Sequence, residues 1–337
     1  MDVIVVGGGL MGCAVAHALA ARGASVTLLE RAVVGAEASA AAGGILAPRV
    51  EAHGLEPMRT YGLRSLELYE PWIRSLGVEP EHIGFDRCGV VVVREAAPDP
   101  DAERCDDVRA LEPGLAAAAG WWLPEEGVLD PRLLLRAVSI AARGAGVRVR
   151  VGDTVAAVHA GAVLLADGSA LRGTVVVCGG AWTSTIAGLE GVPVRPIRGQ
   201  MAALEGVALR RVVFGPRGYL VPRPASAAPR VVVGATVEDV GFDKRVTAGG
   251  LRDVLDHAVR LAPRLADAEL VETWAGLRPA TPDDLPLIGA LDGVFLASGH
   301  YRNGILLAPI TAAWMAAAVL DGQAPPAAVD PGRFSAV

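Results

Sequence analysis

A glycine-rich turn close to the start of the sequence constrains the fold of this chain more than any other feature. The run Gly7-Gly8-Gly9-Leu10-Met11-Gly12 fits the pattern Gly-x-Gly-x-x-Gly and lies between a β-branched stretch and a helical one. Glu30 ends a second apolar stretch, 18 residues after Gly12. In a βαβ unit, such glycines permit a tight turn and close approach to a pyrophosphate, and the carboxylate accepts hydrogen bonds from ribose hydroxyls. The sequence therefore predicts a dinucleotide site.

Composition excludes several other classes of protein. The 337 residues are 52% hydrophobic and 20% charged, with a net charge of −6, so a sizeable core is expected and neither nucleic acid nor an anionic membrane is. Four widely spaced cysteines without a neighbouring histidine cluster predict buried thiols in a reducing compartment, a cytoplasmic location and no metal site. The apolar stretch over residues 3–21 is interrupted by glycines, which favours a strand, turn and helix over a leader or anchor.

The same pattern of elements occurs at both ends of the chain. Strands are predicted at Asp2–Val6 and Ser25–Glu30, around a helix over residues 11–22. Another strand over 294–297 precedes a glycine-bounded turn and a helix over 305–320. Between the two ends, residues 195–237 alternate as strands do. The cofactor domain is therefore expected to combine both ends of the chain, with a substrate domain inserted.

Two local patterns add detail to this expectation. Residues 35–48, GAEASAAAGGILAP, are small and flexible, which predicts a loop whose backbone approaches a flat ligand. Asp130, followed by Pro131, is expected to cap a helix.

Five segments spread over nearly the whole chain carry a resemblance to a known family: GGGLMG, AAAGGILAP, VVVCGGAWT, WAGLRPATPDDLPLIG and SGHYRNGILLAP. They resemble the glycine oxidase (ThiO) family of the D-amino-acid oxidase superfamily. The resemblance implies an α/β fold, α+β overall, in which a glutathione-reductase-type, Rossmann-like FAD domain contains an inserted, mostly antiparallel substrate domain. We expect the FAD domain at residues 1–82, 130–192 and 276–337, and the substrate domain at 83–129 and 193–275.

The resemblance implies FAD as the cofactor. Because no cysteine follows Cys178, the covalent attachment found in some relatives through a C-terminal cysteine is not expected here. Carried onto matching positions, the family's pattern and the glycine turn predict cofactor contacts at Gly7, Gly9, Leu10, Met11, Gly12, Glu30, Arg31, Ser39, Ala42, Gly43, Gly44, Val155, Gly180, Trp182, His300, Tyr301, Arg302, Asn303, Gly304, Ile305 and Leu306.

The same resemblance predicts the substrate-binding residues. Arg278 in WAGLRP matches the arginine that binds the substrate carboxylate, since a guanidinium can donate two parallel hydrogen bonds to a carboxylate. Arg302 matches a second arginine of that site, and Tyr219 matches its tyrosine. Two positions depart from the family's pattern, because Arg217 replaces a histidine and Val237 a methionine. Both are expected to alter the pocket wall and with it the amine specificity.

The implied reaction is the oxidation of glycine, a short N-alkyl glycine or a small D-amino acid to the 2-oxo acid, ammonia or amine, and hydrogen peroxide. No side-chain base is expected, because the flavin accepts the α-hydrogen of an amine whose pKa clustered arginines lower. The family's role in making the thiazole of thiamine and its frequent tetramers imply the same pathway and a homo-oligomer.

Other functions stay open from the sequence. A dehydrogenase of the same superfamily that reduces a quinone would carry the same motifs, and so would an oxidase for a larger N-substituted glycine. An NAD-dependent dehydrogenase shares the glycine turn but would be colourless. A non-catalytic flavoprotein or a tRNA-modifying module is a further alternative, although the acidic balance argues against RNA binding. No Gly-x-Ser-x-Gly motif supports a serine hydrolase.

Overall fold

A computed structural model describes residues 1–334. Within them the strands, in chain order, are β1 (Asp2–Val6), β2 (Ser25–Glu30), β3 (Ile45–Leu46), β4 (Val90–Val92), β5 (Glu103–Cys105), β6 (Gly120–Leu123), β7 (Gly127–Val128), β8 (Arg148–Val151), β9 (Val155–His159), β10 (Ala162–Leu165), β11 (Ala170–Arg172), β12 (Thr174–Val177), β13 (Arg195–Glu205), β14 (Val212–Gly215), β15 (Gly218–Pro222), β16 (Arg230–Gly234), β17 (Glu269–Ala280), β18 (Leu287–Leu291) and β19 (Val294–Ser298).

The α-helices of the same residues are α1 (Leu10–Ala21), α2 (Ala38–Ala41), α3 (Pro48–Glu51), α4 (Glu56–Ser75), α5 (Pro131–Gly144), α6 (Ala248–Leu261) and α7 (Ala308–Asp321). Short 3₁₀ helices lie at Pro80–Ile83, Val108–Ala110, Gly180–Thr185, Pro263–Asp267, Ala327–Val329 and Pro331–Phe334.

The first sheet unites the two ends of the chain, as the sequence predicts. Its six strands run in the order β18-β19-β12-β1-β2-β8 and are parallel except for the β18–β19 pair. The β-branched residues of β1 are buried, which is the pattern of a parallel strand covered on both faces. Helices α1, α5 and α7 pack on one face, and the three-stranded sheet β11-β10-β9 contributes to the apolar layer on the other.

The second sheet is the inserted, mostly antiparallel one. Its eight strands run in the order β17-β13-β16-β15-β14-β4-β6-β5, and only β14 and β4 pair in parallel. The expected domain boundary at residue 276 falls inside β17, which stays paired with β13 as far as Ala280 opposite Arg195. We therefore propose that this boundary lies after Ala280.

Three local predictions can be compared with the helices and the loop. Asp130 caps α5, since its carboxylate accepts hydrogen bonds from the backbone N–H groups of Arg132 and Leu133. The last long helix begins at Ala308 instead of residue 305, because Pro309 lacks an N–H and suits the first turn. Residues 35–48 are not wholly irregular, since they contain α2 and β3. Within residues 1–334, no helix has the length and apolar character needed to cross a membrane.

Candidate active site

A cavity of about 480 Å³ lies between the two sheets, where the parallel strands β1, β2 and β12 end. Ligands of open α/β sheets bind at this end of the strands, because helix N-termini and loops meet there. One part of the cavity is lined by the glycine turn and Glu30, and another by Arg278, Arg302 and Tyr219. The structure thus joins residues that are far apart in the sequence into one elongated site.

The glycine turn leads directly into α1. Gly9 is the N-cap residue and makes no side-chain capping bond, while the Leu10 N–H donates to Ser39 Oγ at 2.9 Å. An added Cβ at Gly12 would lie 1.8 Å from the Gly7 carbonyl oxygen, so α1 packs closely on the turn. An added Cβ at Gly9 would meet only Ser39 Oγ, at 3.3 Å. The backbone of Gly9 is therefore open toward the cavity, next to a helix N-terminus that favours anions.

Glu30 is fixed at the end of β2 by two backbone hydrogen bonds. Its Oε2 accepts from the Gly8 N–H at 2.8 Å and its Oε1 from the Ala32 N–H at 2.9 Å. Arg31 lies beside it and places its guanidinium 4.1 Å above the Trp182 ring. A carboxylate, a cation and an aromatic face are thus held at one end of the cavity.

A short segment of small residues, 40–44, leads from the end of α2 to β3, and its residues 41–44 line the cavity wall. We call it the flavin loop, because the family resemblance predicts FAD contacts at residues 42–44. Gly44 has φ +77°, and a Cβ there would lie 2.1 Å from the Leu129 carbonyl oxygen. At Gly43 a Cβ would lie 3.3 Å from the Tyr219 ring. Because glycine has no Cβ, the backbone at Gly43 and Gly44 can lie this close to Tyr219 and Leu129.

Arg278 is a half-buried cation in the cavity wall, on β17. Its Nη1 donates to the Thr236 carbonyl oxygen at 3.1 Å, and within residues 1–334 no carboxylate pairs with it. The guanidinium lies against Gly199 of β13, where an added Cβ would be 2.4 Å from Arg278 Nη2. Any larger residue at 199 would displace the arginine. Most of its donors are therefore left for a ligand.

Arg302 also lines the cavity, but it is already paired. Its Nε donates to Glu51 Oε2 at 2.7 Å and its Nη2 to Glu51 Oε1 at 3.3 Å. Although burial raises the pKa of Glu51, the attraction of Arg302 and the bonds to His53 and Arg302 outweigh it and lower that pKa from 4.5 to about 2. Glu51 therefore compensates the charge of one of the two arginines that are expected to act together on a bound amine.

Tyr219 and His300 complete the wall. The Tyr219 ring packs edge-on against Phe214, at 5.8 Å between ring centres. His300 is buried and its Nε2 lies 3.0 Å from Thr311 Oγ1. Burial lowers the pKa of His300 to about 3, so its ring is uncharged at neutral pH.

Most of the residues predicted from the sequence line this cavity. They are Gly7, Gly9, Leu10, Met11, Glu30, Arg31, Ser39, Ala42, Gly43, Gly44, Val155, Gly180, Trp182, Tyr219, Arg278, His300, Tyr301, Arg302, Gly304 and Ile305. Three others, Gly12, Asn303 and Leu306, are not part of the lining, and the close approach of Gly12 to Gly7 gives that glycine a packing role.

The two positions that depart from the family pattern do not lie where the sequence analysis expects them. Arg217 and Val237 are exposed and neither belongs to the cavity lining, so the expectation that they alter the pocket wall is not met. Sequence reasoning missed Glu51, Gly199 and Met201, which do line it. A glutamate in PRVEAH and a glycine within a strand carry no distinctive pattern by themselves, and only the register of β13 against β17 places Gly199 beside Arg278.

Comparison with known proteins identifies the family. The model of a family described as FAD dependent oxidoreductase, DAO, matches residues 2–318. The chain belongs to this family. FAD is accordingly its cofactor, and the open space beside Gly9 and the fixed carboxylate of Glu30 fit the diphosphate and ribose of that molecule.

A sequence relative and two solved structures agree with that assignment. The chain is 38% identical to the bifunctional protein ThiO/ThiG of Synechocystis sp. over 99% of its own length, and it spans only 54% of that relative. A crystal structure of glycine oxidase from Geobacillus kaustophilus matches with a TM-score of 0.89 and 29% identity, over 98% of each chain. Iminodiacetate oxidase from Chelativorans sp. BNC1 matches with a TM-score of 0.84 and 28% identity, over 98% of each chain.

Proposed function

We propose that this family member oxidises glycine, a short N-alkyl glycine or a small D-amino acid with oxygen. The products are the 2-oxo acid, ammonia or an amine, and hydrogen peroxide. The observation that carries the proposal is Arg278, a cation without a carboxylate partner among residues 1–334 that faces the same cavity as the glycine turn. A site that leaves one guanidinium free in its wall suits a small substrate with a single carboxylate.

The residues proposed to hold FAD follow the cavity from end to end. The N-terminus of α1 would bind the diphosphate, Glu30 the ribose, and Arg31 and Val155 the adenine end. The flavin loop and the turn with His300 and Tyr301 would hold the ring system without covalent attachment. The bound cofactor would supply the two-electron oxidation of the amine, with oxygen as the final electron acceptor.

The chain's own contribution is to orient the substrate. Arg278 would hold the carboxylate by two parallel hydrogen bonds, and the Tyr219 hydroxyl group would donate a further one. Neither Glu51 nor His300 suits the role of a base near neutral pH, since their pKa values are held near 2 and 3. The site therefore acts through position and charge.

The charge of the cavity favours one carboxylate over two. Iminodiacetate carries two carboxylates, and a site for it would need two available cations. Here Glu51 neutralises Arg302 and Glu37 lies 3.4 Å from Arg31, so among residues 1–334 Arg278 is the arginine of the lining without a carboxylate partner. Glycine and sarcosine are therefore proposed as better substrates than iminodiacetate or other larger N-substituted glycines.

Oxygen uptake by the purified yellow protein with glycine, sarcosine, D-alanine and iminodiacetate tests this function. Arg278→Ala should lower kcat/KM by about 100-fold, as expected when a charge-assisted bidentate contact is lost. Arg217→Ala is the matched control, because that arginine is exposed and lies outside the cavity lining. Uptake that survives in Arg278→Ala would contradict the proposal. A protein that reduces a quinone dye but takes up no oxygen would instead support the dehydrogenase alternative.

The wider role is proposed on resemblance. The protein would supply the oxidised glycine from which the thiazole of thiamine is made. It would do so in the cytoplasm, and it would form a homotetramer. Four free cysteines, three of them buried, are consistent with a reducing compartment. Light scattering during gel filtration measures the mass, and a monomer of 34.6 kDa would contradict the assembly.

A further inference from the structure

Three side chains approach the flavin loop from behind, each donating a hydrogen bond to a carbonyl oxygen. Arg132 Nε donates to the Ala40 carbonyl at 3.2 Å, Trp274 Nε1 to that of Ala41 at 3.1 Å, and Arg223 Nη1 to that of Gly43 at 2.9 Å. The donors come from α5, from β17 and from the end of β15. Elements of both domains therefore hold one short segment.

The opposite side of that segment faces the cofactor cavity, of which Ala41, Ala42 and Gly43 form part of the wall. A second cavity of about 290 Å³ lies on the side of the three donors. Each hydrogen bond thus directs a carbonyl oxygen away from the cofactor cavity. Ala40 and Ala41 are the last residues of α2, and the Gly44 carbonyl oxygen accepts from the Leu129 N–H. The segment has no polar side chains of its own, so the three external bonds add to these backbone bonds in fixing its orientation.

Strand β17 links the loop to Arg278. Residues two apart on a strand share a face, and Trp274, Gly276 and Arg278 follow one another along this one. Trp274 binds the Ala41 carbonyl, and Gly276 packs so tightly on Ala41 that an added Cβ would lie 2.5 Å from the Ala41 Cβ. Arg278 follows at the cavity wall. One strand face therefore holds the loop and presents the free cation.

The donors are themselves held in place. Glu272, on the same face of β17, accepts from Arg132 Nη2 at 2.6 Å and from Arg230 Nη2 at 2.6 Å. The Arg132 guanidinium lies 5.1 Å from the centre of the Trp274 ring, so it stacks on the indole. Arg223 is buried, with Asp130 Oδ2 3.6 Å from its Nε.

We propose that Trp274, supported by Arg132 and Arg223, is a positioning residue that sets the spacing between the flavin loop and Arg278. The part of this inference that concerns amine oxidation rests on the proposed function, whereas the part that concerns the cofactor rests on the family alone. Loss of the Trp274 bond should let the Ala41 carbonyl turn and the loop separate from β17. Both FAD affinity and substrate orientation should then decline.

Trp274→Phe tests the inference because it removes one N–H and keeps an aromatic ring for Arg132. The matched control is Trp121→Phe, since Trp121 Nε1 donates to the Arg94 carbonyl at 3.2 Å, outside the cavity lining. FAD affinity is measured by titrating apoprotein with FAD and following flavin fluorescence, and kcat and KM by oxygen uptake. We expect Trp274→Phe to raise the FAD Kd about 5-fold and lower kcat/KM about 10-fold, with the control within about 2-fold of wild type.

An unchanged FAD Kd in folded Trp274→Phe would overturn the inference, and so would equal losses in the two variants. If wild type consumes no oxygen, the proposed function fails, while the FAD titration still tests the positioning role. Arg223→Lys with Arg211→Lys as control gives a second test, because Arg211 Nη1 also donates to a carbonyl, that of Cys88 at 2.6 Å, and does not line either cavity. We expect Arg223→Lys, but not Arg211→Lys, to lower the affinity for FAD.

Discussion

Arg302 and Glu51 form a two-point ion pair in the wall of the cavity, although 251 residues separate them in the sequence. Glu51 is only 7% exposed, so its charge is little screened by water. The pair removes the net charge of the second arginine. We therefore expect it to limit the number of substrate carboxylates that the cavity can bind.

Glu51→Gln should increase the relative preference for a dicarboxylate amine. With Arg302 uncompensated, the ratio of kcat/KM for iminodiacetate to that for glycine should rise by about 10-fold, as expected for one more charge-assisted contact. Oxygen uptake with both amines measures the ratio. Glu112→Gln serves as control, because Glu112 is a buried carboxylate that accepts backbone hydrogen bonds outside the cavity. An unchanged ratio would show that the pair does not select the substrate.

The two positions that depart from the family pattern should not affect specificity. Arg217→His and Val237→Met restore the family's residues at exposed positions outside the lining. We expect the KM for glycine and for sarcosine to stay within about 2-fold of wild type, the range of a surface change. A larger shift in either KM would mean that these residues reach the substrate.

Two glycines of the first turn should respond differently to alanine. At Gly9 an added Cβ meets only Ser39 Oγ, so Gly9→Ala should fold normally but bind FAD at least about 10-fold more weakly, since the methyl group occupies the approach of the diphosphate. At Gly12 the Cβ would lie 1.8 Å from the Gly7 carbonyl oxygen, so Gly12→Ala should lose about 2 kcal/mol or more of folding stability. Thermal unfolding of the apoproteins and FAD titration separate these effects, and full FAD affinity in Gly9→Ala would refute the first.

Glu126 should make folding stability depend on pH. It is fully buried, its Oε1 accepts from the Arg49 N–H at 2.7 Å, and its Oε2 has no partner within residues 1–334. Burial raises its pKa from 4.5 to about 8. Because the folded state binds this proton more tightly, the stabilising contribution is complete below pH 4.5 and is lost as pH rises through about 8.

Glu126→Gln should therefore remove that loss. At pH 9 the variant should be at least about 1 kcal/mol more stable than wild type, and the difference should shrink toward pH 5. Urea unfolding at several pH values measures it. Glu125→Gln is the control, since the adjacent carboxylate is exposed. Parallel pH profiles for wild type and Glu126→Gln would refute the assignment.

Several elements of the fold could be predicted because the local sequence pattern is enough to specify them. The buried runs of β1 and β2, the glycine turn between β1 and α1, and the Asp130 cap of α5 are read within a few neighbouring residues. The start of α7 was predicted three residues too early. An apolar run looks the same in the sequence whether it forms an irregular loop or the beginning of a helix. The family's motifs supplied Arg278, Arg302 and Tyr219, which no local pattern could bring together.

By itself the sequence determined the cofactor turn, the parallel strands and the acidic residue at the end of β2, because their chemistry depends on neighbours in the chain. The tertiary structure decided the charge of the cavity wall. Glu51 reaches Arg302 and Gly199 makes room for Arg278 only through pairings across long separations. Hydrogen bonds from α5, from β17 and from Arg223 after β15 hold the flavin loop. Electrostatic compensation and steric clearance depend on distances in space, which no single segment of the sequence contains.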